Sequence, residues 1–290
     1  MTHVLTLVAR PGDLSPALVA RVCDALRGGA AEWLSPGEAA DIALPAPPDA
    51  DAVRDALGSA PADWHAGPAE GRRKQLLIAD MDSTIVTTET LDELAAFAGL
   101  KDRIAEITRR SMNGEVDFAE ALRLRVGMLK GLGLEALERT WQATRLMPGA
   151  AELVGTMRAH GALTALVSGG FTFFTGRVAD KVGFDVHRSN ELLHDGTVLT
   201  GKVGEPILDR DAKLATLREL AAQRGLALEH TLAVGDGAND LAMLRAAGLG
   251  VAYHAKPIVA AEARTRVDHT DLRALLFFQG YPAHAFVTAG

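Results

Sequence analysis

A chain of 290 residues, 48% of them apolar, has room for two domains and can bury a sizeable core. Its net charge of -7 argues against a nucleic-acid partner, which needs a basic face. Cys23 is the single cysteine, so no intramolecular disulfide can form, and a reducing compartment is the natural setting.

At the N-terminus, Met1-Thr2-His3-Val4 lacks the basic stretch and long apolar run of a signal peptide. No window approaches the ~20 apolar residues of a membrane helix. A cytoplasmic protein with no membrane partner is expected. Residues 4–9 form an apolar run of strand length. Ser15-Pro16 reads as an N-cap with proline in the first turn, Leu18, Val19, Val22 and Leu26 recur at helical spacing, and Gly28-Gly29 stops the helix. Short strand-like pieces near Trp33 and Ile42 and a short helix at 53–57 complete a small α+β module over residues 1–70. Residues 67–71, Gly-Pro-Ala-Glu-Gly, read as a linker.

Residues 71–290 follow another pattern. Continuous apolar runs at 76–79, 163–167, 231–234 and 249–252 suit strands of a parallel sheet buried on both faces. Helical segments at 150–160, 171–182, 211–224 and 239–247 separate them, with Gly161, Gly183, Gly225 and Gly248 where helix-ending glycines belong. This alternation predicts an α/β fold with a doubly wound parallel sheet. Residues 80–162 carry no strand signal. Helices at 91–98, 102–112, 118–129 and 134–143 predict a helical cap inserted at about 89–147, since a simple crossover is far shorter. A hairpin with Asp195-Gly196 at its turn is expected over 192–199.

Open α/β sheets bind ligands at the carboxyl ends of their strands. Those ends here carry Asp80 and Asp82, then Ser168 and Gly169, then Asp236, Asn239 and Asp240. Any one acid after a strand is equally well read as a helix cap; the ordered set is not. Clustered carboxylates repel unless a cation joins them, and an oxygen-only set of Asp80, Asp82 and Asp236 suits a hard ion such as Mg2+. The histidines are scattered, without zinc spacing. A phosphoryl substrate fits the remaining groups, because its oxygens call for a cation, a hydroxyl and backbone amides at a helix N-terminus. Taken alone, Lys213 reads as a solvated lysine near a helix start.

These residues together resemble the haloacid dehalogenase-like phosphatases. Asp80-Met81-Asp82-Ser83-Thr84 is similar to their first motif, Ser168-Gly169-Gly170 to the second, Lys213 to the third and Gly235-Asp236-Gly237-Ala238-Asn239-Asp240 to the fourth. The match spans roughly residues 75–280. The stretch 80–93, the stretch 112–118 and Ala121-Leu122-Arg123-Leu124-Arg125-Val126 look like the phosphoserine phosphatase branch. The resemblance implies Mg2+-dependent hydrolysis of O-phospho-L-serine, the last step of serine biosynthesis. It makes Asp80 the nucleophile and Asp82 the general acid and base. Asp80, the backbone carbonyl of Asp82 and Asp236 would hold the metal, and Ser168, Gly169 and Lys213 the phosphoryl oxygens. Asn239 becomes a further substrate contact, and Asp240 a support for Lys213 or the metal's waters. Glu89 would pair the substrate ammonium and Arg125 clamp its carboxylate; without the resemblance they read as a first-turn helix acid and a surface arginine.

In larger members of that family the extra N-terminal region often resembles an ACT-type regulatory domain. Here it is short and carries no ligand motif, and pairing of two copies is the expectation for it. Competing readings are another phosphomonoester substrate, phosphotransfer to an alcohol, and a catalytically silent amino-acid sensor. The last would not need both acids of the first motif.

Overall fold

The computed structural model describes residues 2–112 and 115–288; Asn113 and Gly114, part of the stretch similar to phosphoserine phosphatases, lie outside it. The chain opens with β1 (His3–Ala9), α1 (Pro16–Leu26), β2 (Ala31–Ser35), β3 (Ala39–Leu44), α2 (Ala50–Leu57) and β4 (Ala62–Pro68). Ser15 Oγ accepts from Leu18 N at 3.1 Å and caps α1. The helix ends differently from expectation. Arg27, at φ 54°, takes the left-handed position, and Gly28 is required because a Cβ there would collide with Ile42. Leu5 and Leu7 of β1 pack with α1 and α2, while Thr6 between them faces the rest of the chain.

The segment read as a linker is partly strand. β4 runs through Gly67 and Pro68 and pairs antiparallel with β1, from Ala9↔Ala62 to His3↔Pro68. Its sequence, ADWHAGP, has no β-branched residue. Pairing, not propensity, makes it a strand.

The remaining elements are β5 (Leu76–Ala79), α3 (Thr90–Phe97), α4 (Lys101–Met112), α5 (Phe118–Met128), α6 (Glu135–Ala143), α7 (Ala150–Ala159), β6 (Leu163–Phe171) and α8 (Thr172–Val182). After them come β7 (Val186–Asn190), β8 (Leu192–His194), β9 (Leu199–Val203), α9 (Arg210–Gln223), β10 (Thr231–Gly235), α10 (Leu241–Ala246), β11 (Leu249–Tyr253), α11 (Pro257–Glu262), β12 (Thr265–Val267) and α12 (Ala274–Phe278). One ten-stranded sheet runs β2-β3-β1-β4-β12-β11-β10-β5-β6-β7. From β12 to β7 it is parallel, with helices on both faces, as the apolar runs predict. Val234 lies opposite Ala79, and Ala79 opposite Leu166, so β10 and β5 finish level while β6 runs on past them to Phe171. Gly161, Gly183 and Gly225 take positive φ at helix ends; Gly248 does not, and is needed because a Cβ would strike the Glu229 carbonyl. No described helix is long and apolar enough to cross a membrane.

Helices α3 to α6 form the inserted cap. Its two stalks pair at Val86↔Leu146, with Thr87 N donating to Arg145 O at 3.0 Å and Met147 N to Ile85 O at 2.8 Å. The β8–β9 hairpin fastens the cap a second time. Gly131 N donates to Leu199 O and Leu199 N to Leu132 O, both at 2.8 Å.

Between β4 and β12 the sheet is joined by a single pair, Trp64↔Arg266. Polar side chains supply what the backbone does not. Asp63, 4% exposed, accepts from Asp268 N at 2.8 Å, Thr270 N at 2.9 Å and Thr270 Oγ1 at 2.6 Å. Arg72 Nη1 donates to Asp41 Oδ2 at 2.5 Å, and Nη2 to Thr6 Oγ1 at 2.8 Å and to the Phe277 and Phe278 carbonyls at 3.3 Å. Asp63→Ala strands buried donors and should cost ~3 kcal/mol of stability in urea unfolding; a loss under about 0.5 kcal/mol would remove Asp63 from this role.

His65, whose Nδ1 lies 2.9 Å from Thr265 Oγ1, is pushed down to about 4 by burial, with Arg72 and Lys74 adding to the effect. Its folded value is below the ordinary 6.5, so the fold favours the neutral ring. Stability should be indifferent to this group above pH 6.5 and fall toward pH 4 by at most about 1.4 kcal/mol per pH unit. His65→Gln should flatten that fall in denaturation curves taken across the range; an unchanged slope assigns it to other groups.

Candidate active site

The level ends of β5 and β10 bring the acids together. Asp80 follows β5, its N–H donating to Val234 O at 3.0 Å, and Asp236 follows β10. Asp240 closes a single 3-10 turn, Ala238–Asp240, where the sequence predicts the start of a longer helix. Its Oδ2 accepts from Gly237 N at 3.0 Å. One ligand oxygen from each of Asp80, Asp236 and Asp240 can be chosen with all three within 4.8 Å of one another, and all three residues are buried.

Lys213 is drawn into this cluster. Asp209 caps α9 by accepting from Asp211 N at 2.9 Å and Ala212 N at 3.1 Å, which places Lys213 in the first turn. It is 1% exposed, with Nζ 2.7 Å from Asp80 Oδ1 and 2.6 Å from Asp240 Oδ1. A solvated lysine it is not. Burial and a helix N-terminus both oppose its charge. Asp240 and Asp80 outweigh burial and hold the ammonium above its usual range.

Asp82 turns elsewhere. Its Oδ1 accepts from Thr90 N at 3.2 Å and its Oδ2 from Thr90 Oγ1 at 3.3 Å, at the start of α3. Thus the carboxylate set that clusters contains Asp240 rather than the Asp82 side chain. Burial, then Glu89 and Asp80, push the Asp82 carboxyl well above the usual range, against the Thr90 hydrogen bonds. Burial and Asp80 raise Asp236 to about 6, opposed by Lys256. Burial also raises Asp240, while Lys213 favours its charged form.

Ser168 and Gly169 lie within β6, which runs on to Phe171; the helix that was expected to start at 171 starts at Thr172. Ser168 Oγ accepts from Gly170 N at 2.9 Å. A Cβ on Gly169 would sit 3.3 Å from Phe118 of the cap, and one on Gly170 3.2 Å from Asp82 Oδ2. Asn239 is half-buried in the 3-10 turn. Glu89 stands exposed at the N-terminal boundary of α3 without a side-chain capping bond, and accepts from Ser83 Oγ at 2.8 Å. Arg125 lies on α5, partly buried, donating to Ala121 O at 3.2 Å and Thr108 Oγ1 at 3.3 Å. It pairs with no carboxylate among the described residues; burial opposes its charge, and Asp92 and Glu89 favour it.

Sequence reasoning missed three residues. Lys256, just after β11, reaches Asp236 Oδ2 at 3.5 Å, and Asp236 and Glu89 hold its charge against burial. Thr84 Oγ1 donates to Asp236 Oδ1 at 3.4 Å. Thr90 orients Asp82. Only Thr84 carried a signal, as the last residue of the first motif.

Buried oxygens outnumber the cations here, so a divalent cation fits the Asp80–Asp236–Asp240 cluster by charge and by donor type. Such an ion, at about 100 times its Kd, should stabilise the fold by ~2.7 kcal/mol. Thermal melting with and without the ion measures this. Asp236→Asn should abolish most of the shift, and a melting temperature indifferent to divalent ions would contradict the cluster's role.

The family described as haloacid dehalogenase-like hydrolase matches residues 77–245. A phosphoserine phosphatase of Archaeoglobus fulgidus is 42% identical over 212 residues, covering 73% of this chain and 62% of that protein. One from Streptococcus thermophilus is 44% identical over 69% of this chain and 93% of its own length. The chain thus spans less than two thirds of the Archaeoglobus protein and nearly all of the Streptococcus one. Among solved structures, a probable phosphoserine phosphatase from Vibrio cholerae superposes with a TM-score of 0.79 at 32% identity, covering 98% of this chain and 88% of that one.

Proposed function

We propose that this chain, which belongs to the haloacid dehalogenase-like hydrolases, hydrolyses O-phospho-L-serine to L-serine and phosphate through an aspartyl phosphate on Asp80. The observation that carries the reading is the buried Lys213 ammonium 2.7 Å from Asp80, at the edge where β5 and β10 end. The relatives named phosphoserine phosphatase support the choice of substrate.

In this mechanism an Asp80 carboxylate oxygen attacks phosphorus and the bond from phosphorus to the serine oxygen breaks. Asp82, raised by burial and by Glu89 and Asp80, starts protonated and gives its proton to the leaving oxygen. It then takes a proton from the water that attacks the aspartyl phosphate, and phosphate leaves. Thr90 holds the Asp82 carboxyl in place through both turns. Lys213, the Ser168 hydroxyl and the Gly169 amide hold the phosphoryl oxygens, with Asn239 as a further contact and Asp240 keeping Lys213 in position. Asp80, Asp236 and the Asp82 backbone carbonyl would hold Mg2+, with Asp240 beside them in the acid cluster, and the ion would supply neutralising charge. Glu89 pairs the ammonium, and Arg125, free of any described carboxylate, clamps the carboxylate. The cap, with Phe118 against Gly169, keeps bulk water out.

Cys23, half-buried and unpaired, suits a reducing cytoplasm. The sheet ends on β2, whose outer edge supports a homodimer through the N-terminal module; a monomer in sedimentation would remove that part of the reading.

Phosphate release from L-phosphoserine should exceed that from phosphothreonine, sugar phosphates and nucleotides, and EDTA should stop it. Asp80→Asn should abolish turnover without loss of fold. Arg125→Ala should raise KM for phosphoserine about 10- to 100-fold. Cation-dependent release from another phosphomonoester, with phosphoserine poor, would keep the phosphatase and refute the substrate.

A further inference from the structure

Two adjacent glycines, Gly169 and Gly170, sit where phosphoryl oxygens are to be held, and their peptide plane needs a support that no side chain of their own can give. Asn190, the last residue of β7, lies outside all four motifs and is 2% exposed. Its Nδ2 donates to Gly169 O at 2.9 Å and to Leu208 O at 3.3 Å, and its Oδ1 accepts from Leu208 N at 2.7 Å.

We propose that Asn190 is a positioning residue for phosphoryl binding, its carboxamide fixing both the Gly169–Gly170 peptide and the chain that leads into the Lys213 helix. This rests on the reading that Ser168, Gly169 and Lys213 hold the phosphoryl group.

In a trans peptide the carbonyl and the following N–H point to opposite sides. With the Gly169 carbonyl held by Asn190, the Gly170 N–H points away from it, where it donates to Ser168 Oγ at 2.9 Å. A hydroxyl oxygen that already accepts keeps its own hydrogen for another acceptor. The Ser168 hydrogen is therefore left to donate to a phosphoryl oxygen. The other end of the carboxamide grips Leu208, one residue before Asp209, the cap of α9. Lys213 stands in the first turn of that helix. A third restraint meets the same loop, since Arg123 of the cap pairs with Glu205 at 2.7 Å. One buried amide thus sets the spacing between two groups that must meet the same oxygens.

Asn190→Asp keeps the size and the acceptor for Leu208 N but removes both donors. Competitive inhibition by inorganic phosphate should weaken about 10-fold, the scale of one or two lost buried hydrogen bonds. KM should rise by the same factor for L-phosphoserine and for p-nitrophenyl phosphate, so that their ratio stays at the wild-type value. Arg125→Ala should change that ratio and leave phosphate inhibition as it was. Asn190→Ser keeps one donor and should lose about 3-fold; it carries the test if the aspartate variant does not fold. Wild-type phosphate inhibition in either folded variant, checked by circular dichroism, overturns the proposal. A loss confined to phosphoserine overturns it as well. If wild-type protein turns over p-nitrophenyl phosphate but not phosphoserine, the substrate reading fails alone, and the Asn190 comparison proceeds on the first substrate.

Discussion

The site depends on one contact, a lysine ammonium buried between two carboxylates. Lys213 reaches Asp80 and Asp240 at 2.7 and 2.6 Å with almost no exposure to water. Removing one member of such a group leaves an uncompensated buried charge, typically a loss of 3–5 kcal/mol. The geometry is met only if β5 and β10 finish level and α9 starts where Asp209 caps it. Sheet register, helix cap and nucleophile position are therefore one requirement. The same contact keeps Asp80 oriented while its neighbour Asp82 is turned toward Thr90 and made hard to ionise. Two carboxyls two residues apart acquire different chemistry because they face different surroundings.

Around that contact the chain builds two attachments. The cap is tied to the core at its Val86–Leu146 stalk and again at the β8–β9 hairpin. At the other edge, the N-terminal strands extend the same sheet, but one backbone pair alone would be a weak joint. Asp63, Arg72 and the Asp41–Thr6 pair strengthen it with buried hydrogen bonds.

Much of this was legible in the sequence, for physical reasons. Residues 76–79 are apolar at every position, and 163–167 and 231–234 at all but one buried threonine each, as suits central parallel strands covered on both faces; Asp80 and Ser168 follow the first two runs directly, and Asp236 comes two residues after the third. The cap was legible because four helical patterns occupy a stretch too long for a crossover. β4, β7 and β12 were not. Val186–Asn190 reads VHRSN, too polar to announce a strand, and Thr265–Val267 has three residues. Their pairing partners supply what their own sequences lack. Lys213 looked solvated because nothing local reveals that two acids wait for it from other strands. Asn190 and Lys256 act at positions whose partners lie far along the chain, and no spacing rule links them.

The most direct test of the covalent account is acid quench of the protein during turnover of L-phosphoserine, followed by peptide mass spectrometry. The account predicts a transient phosphoryl group on the peptide that contains Asp80, absent when substrate is withheld. Phosphate release at full rate with no phosphorylated peptide, or with the group on another residue, would contradict it.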